Sequence, residues 1–107
     1  MRILSQFPEH SVEAHGSLGF TMRGVVRSEQ THVALAILAP DGLIGRHAAE
    51  VTQLFVVVEG SGWVAGGDAE RVEVAAGDAV LWEAGEEHEA GTDAGMVALV
   101  VESNTLT

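Results

Sequence analysis

The chain has 107 residues, 47% of them hydrophobic and 20% charged, with five arginines, no lysine, no cysteine and a formal charge of −11. That length fits one domain around one core, and the composition excludes a disordered chain. The negative balance disfavours nucleic acid and anionic membrane surfaces as partners, and the lack of cysteine removes disulfides, thiolate metal sites and thiol nucleophiles.

Residues Met1 to His15 lack the basic start and apolar run of an export signal. No segment approaches the roughly 20 apolar residues that cross a bilayer, so a cytoplasmic protein without membrane contact is expected. Residues 1–16, which include Pro8, read as an irregular segment ahead of a core of about 17–103. Strands are predicted over Leu18 to Arg27 and Thr31 to Ala39, the second alternating Val33, Leu35 and Ile37 against His32, Ala34 and Ala36. His32, opposite the Val33 face, is assigned to an outer or subunit-facing surface. Pro40-Asp41-Gly42 is predicted to stop that strand, because proline presets a turn dihedral and glycine accepts the exit geometry.

Next come Val51 to Val58, a Gly60-Ser61-Gly62 turn, Trp63 to Ala65, a Gly66-Gly67-Asp68 turn and Glu70 to Val74, together a meander. Ala79 to Trp82, a short piece around His88 and Met96 to Glu102 complete the set. Eight or more short strands at regular spacing predict an all-β sandwich or barrel. Leu54 to Val58 and Met96 to Val101 are apolar on both faces, so the second face needs cover. A homodimer is expected; cover by a loop or by the N-terminal segment is the alternative.

Two stretches, Gly42 to Gly60 and Gly77 to Thr92, each set a histidine at a regular distance from turn glycines. A closed β-fold can bring His47 and His88 into one interior pocket, where they would hold a metal ion or a small polar ligand. Gly42, His47, Ala48, Ala49, Gln53 and Gly60 resemble the first motif of the cupins. Gly77, Glu83, Ala84, Gly85, His88 and Thr92 resemble the second. The Gly60 to Gly77 spacing is similar to that of short bacterial cupins, and the two motifs cover about half the chain.

The resemblance implies a cupin double-stranded β-helix, a jelly-roll barrel of a single domain over 1–107. It also implies a divalent metal, iron, manganese, nickel or zinc, held by two histidines, a glutamate and a further histidine. Those positions are His47, Ala49, Gln53 and His88 here, so one imidazole is missing and the anionic ligand is a neutral amide. His47, Ala49 and Gln53 differ by even numbers and would share one face of an extended strand. A divalent ion on His47, Gln53 and His88 would keep its charge uncompensated by the protein, which weakens affinity. Without a metal, His47 and His88 can hydrogen-bond each other, Gln53 or a trapped water.

Phe55, Trp82 and Trp63, with Ala49, are expected to line the pocket, ordinary core packing being the alternative for each aromatic. Glu50 is expected to face solvent, as are His10 and His15. Glu83, Glu86, Glu87 and Glu89 surround His88 along the chain and would favour neutral or cationic ligands over anions, unless Arg46 or Arg23 supplies a counter-charge; a solvated acidic loop is the alternative. No phosphate loop is possible without lysine, and Ser61 lacks the strand-to-helix elbow of a hydrolase nucleophile. Two functions follow: a small-molecule binding or sensing domain with a weak or absent metal site, or a metal-dependent enzyme of dioxygenase or isomerase type.

Overall fold

The structure, a computed structural model, describes residues 1–106. Among the described residues eight strands form an all-β jelly-roll barrel: β1 Glu9–Ser11, β2 Leu18–Arg27, β3 Thr31–Ala48, β4 Gln53–Ala65, β5 Arg71–Ala75, β6 Ala79–Trp82, β7 Glu87–Gly91 and β8 Met96–Ser103. The order is β1-β2-β3-β7-β4-β5, with β6 on β4 and β8 between β3 and β4. Every pairing is antiparallel.

Two predicted turns are corners inside long strands. β3 runs straight through Pro40-Asp41-Gly42, leaving its β8 partner after Leu38 and taking β7 from Leu43 onward. Asp41 absorbs the bend at φ 62°, and a side chain at Gly42 would put Cβ 2.7 Å from the Ala39 carbonyl oxygen. β4 likewise continues through Gly60-Ser61-Gly62, moving from β6 and β8 to β5 and β7. Gly60 takes φ 79° there. Turn chemistry is needed at both places, but it lets each strand serve two layers of the barrel instead of reversing the chain. The corner at Gly60-Ser61-Gly62 thus replaces one reversal of the expected meander, while the Gly66-Gly67-Asp68 turn does reverse the chain between β4 and β5.

Large side chains fill the interior and small ones make room for them. Phe55, Val57 and Trp82 are at most 2% exposed, facing the equally buried Ala34, Ala36, Ala90 and Ala98. The alternation in β3 is therefore real but its sense is reversed. Alanines point inward, while Val33, Leu35 and Ile37 are half-buried on the outer face. Close packing accounts for this, since an aromatic-filled barrel leaves only methyl-sized gaps on the opposing strands. His32 shares the inward parity, at the barrel end, its Nδ1 4.0 Å from Glu102 Oε2. The N-terminal segment is less irregular than predicted: β1 pairs with β2, and a 3-10 turn follows at Ala14–Gly16. No helix among the described residues is long and apolar enough to cross a membrane.

Candidate functional site

His47 and His88 meet. β3 and β7 pair them directly in register, and directly opposed residues of an antiparallel pair project to the same face. Their ring centroids are 4.3 Å apart at an interplanar angle of 55°. Trp82 lies 4.5 Å beyond His88, and Phe55 5.4 Å beyond Trp82, so an aromatic column leads from the site into the core. Shared parity along one strand is not the cause. β3 ends at Ala48, the chain reverses, and Gln53 opens β4 opposite Trp82.

A cavity of about 170 Å³ gathers His47, Gln53, Phe55, Trp82 and His88. Phe20, Met22 and Val12 extend its apolar wall, and Glu102 adds a carboxylate. Two expected lining residues fall outside it. Ala49 is buried, but its N–H donates to the Glu86 carbonyl at 2.9 Å and its carbonyl accepts from the Gly85 N–H at 2.7 Å, so it clamps the loop between β6 and β7. Trp63 projects away from the interior because the β4 irregularity between Val57 and Glu59 switches parity: Phe55 and Val57 face in before it, Val64 after it. The Trp63 ring packs on Gly91, under the Arg71 guanidinium at 3.8 Å from its centroid.

Backbone carbonyls orient both imidazoles. His47 Nδ1 is 2.7 Å from the Gly45 carbonyl oxygen and His88 Nδ1 is 3.4 Å from that of Glu86. A carbonyl only accepts, so in each neutral ring Nδ1 carries the hydrogen and Nε2 the lone pair. His88 is 2% exposed, and no buried side-chain nitrogen or oxygen among the described residues lacks a partner. His88 lines the cavity, and its Nε2, not held by the Glu86 carbonyl, is the ring nitrogen left to meet a ligand. Burial lowers the His88 pKa from 6.5 and repulsion from His47 adds to the effect, against the Glu86 carbonyl and the charges of Glu86 and Glu87.

Neither candidate counter-charge reaches the site. Arg46 donates to the Gly66 and Gly67 carbonyls at 2.9 and 3.2 Å and to Glu89 at 3.4 Å, and Arg23 binds Glu9. Glu86 has a structural task as well, accepting the N–H groups of Glu83 and Gly67. Glu50 is exposed, as expected.

Besides the apolar wall, two ionisable site residues escaped the sequence reading. His15 is exposed, yet its ring stacks on His47 with centroids 4.6 Å apart and planes 7° from parallel. The 3-10 turn carrying it rests on Gly45, where any side chain would strike the His15 backbone. No periodic signal marks it. Glu102 did carry a signal, since it continues the even-numbered row Met96, Ala98 and Val100 that proves to be the inward face of β8.

At the metal positions implied by the resemblance this chain keeps two imidazoles, His47 and His88, while Ala49 offers no donor and Gln53 an uncharged amide. Among the described residues no group of three or more His, Asp or Glu side chains is placed to hold an ion.

The model of the cupin domain family matches residues 34–102. No curated protein matches the sequence. Among solved structures, the polyketide cyclase RemF from Streptomyces resistomycificus superposes with a TM-score of 0.85 at 22% identity, covering 97% of this chain and 80% of that one. A predicted oxalate decarboxylase from Thermotoga maritima gives 0.84 at 20% identity, covering 96% and 98%. KdgF from Halomonas sp. gives 0.77 at 18%, covering 97% and 96%. At these identities the likeness concerns the fold.

Proposed function

The chain belongs to the cupin domain family, and from that premise we propose that it binds one small organic molecule in its barrel, with an apolar body and a hydrogen-bond donor. The observation that carries this reading is the register pair His47 and His88, whose Nδ1 atoms are tied to carbonyls while both rings line the cavity. The volume of about 170 Å³ equals roughly six waters at about 30 Å³ each. That is below the ~300–1,000 Å³ of drug-sized pockets, so the ligand is of single-ring size. Phe20, Met22, Phe55 and Trp82 receive its body. Saturation-transfer NMR with benzyl alcohol and cyclohexanol tests the reading: transfer is expected in the native protein and lost in Ala36→Leu, which fills the cavity. Transfer that survives in a folded Ala36→Leu protein contradicts it.

The metal-dependent alternative, a dioxygenase or isomerase with iron, manganese, nickel or zinc on His47, Gln53 and His88, draws on those carbonyl-tethered imidazoles, an arrangement common among metal-ligating histidines. It needs Gln53 to coordinate through its amide oxygen. Stoichiometric metal in purified protein that disappears in His47→Ala and His88→Ala favours it. Protein that stays metal-free after refolding with excess metal rejects it.

A second copy of the chain is the proposed cover for the outer sheet face. Val26, Val33, Val101, Leu54 and Leu81 form one row across five strands, and Leu35, Leu99 and Val56 form the next. Five strands at about 4.8 Å and the three residues that the two rows span at about 3.3 Å give an apolar centre of about 240 Å². That suits the middle of a two-fold interface of about 800 Å² per partner. The first row is uncharged in a chain of charge −11, so two copies can meet there without apposing carboxylates. Light scattering after gel filtration is expected to give a dimer, and Leu99→Arg a monomer; a monomeric native protein refutes the proposal.

A further inference from the structure

We infer that Glu102 supplies the anionic group missing at position 53, and that the cavity selects small organic amines over neutral and anionic analogues of the same shape. The inference rests on the ligand-binding reading above and adds the charge of the ligand.

Glu102 sits in a transverse row. β3 pairs His32 with Glu102, β8 and β4 pair Glu102 with Gln53, and β4 and β6 pair Gln53 with Trp82. Directly opposed side chains share a face, and Trp82 and Val100 fix that face as the interior. The carboxylate thus reaches the cavity one strand away from the amide that replaces a family carboxylate. Its side chain is 37% exposed, which places it at the open end, with His88 and Trp82 at the closed end. The nearest basic nitrogen, His32 Nδ1 at 4.0 Å, lies beyond hydrogen-bond reach, leaving the acceptor capacity of Glu102 free. Arg27, the register partner of His32, is exposed and two strands from Glu102, about 10 Å across the sheet.

The hydrogen-bonding inventory then decides the ligand. His47 and His88 present Nε2 lone pairs, and Glu102 presents two acceptor oxygens. Gln53 alone among these four groups offers donors. A carboxylate ligand meets like charge and unmatched acceptors, while an alcohol brings one donor. An ammonium brings three donors and a positive charge, and the faces of Trp82 and Phe55 attract it further. Arg46 and Arg23 are committed elsewhere, so neither arginine offsets a ligand anion.

Calorimetric titration of the full chain with benzylamine, benzyl alcohol and benzoate at pH 7.5 tests this. Benzylamine should bind at least tenfold more tightly than benzyl alcohol, and benzoate should not bind. Glu102→Gln should bring the amine-to-alcohol ratio close to one, and His32→Gln should keep the preference. Benzyl alcohol binding equal to benzylamine, tighter benzoate, or a preference that survives Glu102→Gln overturns the inference and leaves the cavity reading standing. Failure of all three probes to bind overturns both.

Discussion

Replacing Gly45 by alanine would dislodge the N-terminal turn from its seat beside His47. The new Cβ would lie 2.6 Å from the His15 carbonyl carbon and 3.3 Å from His15 Cβ. Restoring 3.4 Å to that carbon requires the turn to withdraw by at least 0.8 Å, because the opposing side is a buried strand of the barrel. Two contacts go with it: the stack of His15 on His47, and the hydrogen bond from Gly45 N–H to the buried Ser17 Oγ at 2.9 Å. The stack is worth about 0.5–1.5 kcal/mol and the hydrogen bond a similar amount, so the expected loss is about 1–3 kcal/mol. That range agrees with the usual ~1–3 kcal/mol cost of one methyl too many. Urea unfolding followed by tryptophan fluorescence measures it, with His15→Ala as the comparison that removes the stack alone and should lose no more than half as much. A Gly45→Ala protein within 0.5 kcal/mol of the native one, with unchanged His15 ring resonances, would refute the seating of this turn on β3.

Gly91→Ala places Cβ 2.6 Å from the Trp63 ring, so the indole must swing out from under Arg71; red-shifted emission and a loss of about 1–3 kcal/mol are expected, and unchanged emission contradicts the packing. Burial, then His47, lower the His88 pKa from 6.5, so the unfolded chain takes up this proton before the folded one. Stability is therefore unaffected by this group above pH 6.5 and falls as the pH drops below it, until the folded ring titrates. Urea midpoints between pH 8 and 5 should show a slope that His88→Gln reduces; an equal slope in the variant sinks the assignment.

The amino-acid order made the strands and the convergence of the two histidines legible, because alternation and glycine spacing are local signals. β2 and β6 span the residues predicted for them, Leu18–Arg27 and Ala79–Trp82. Pro40 to Gly42 and Gly60 to Gly62 misled for a physical reason: the same dihedral demands serve a reversal or a corner, and only the partner strands decide which. Trp63 was misplaced by that same ambiguity, since the irregularity before Gly60 inverts the parity that puts Phe55 inside. The inward sense of Ala34 and Ala36 depends on Phe20, Phe55 and Trp82 arriving from other strands, which no window of β3 can reveal. Glu102 was within reach of a parity argument, whereas His15 owes its place to a turn with φ 60° that packs on a distant glycine.

Long-range ¹H–¹⁵N correlation of the histidine rings tests the central claim most directly, because it reads the state of each ring nitrogen. In the free protein at pH 8, His47 and His88 should both show a protonated Nδ1 and an unprotonated Nε2, and both Nε2 resonances should move when a single-ring ligand is added. Rings protonated at Nε2, or Nε2 resonances indifferent to every ligand that binds, would contradict a cavity built around these two imidazoles.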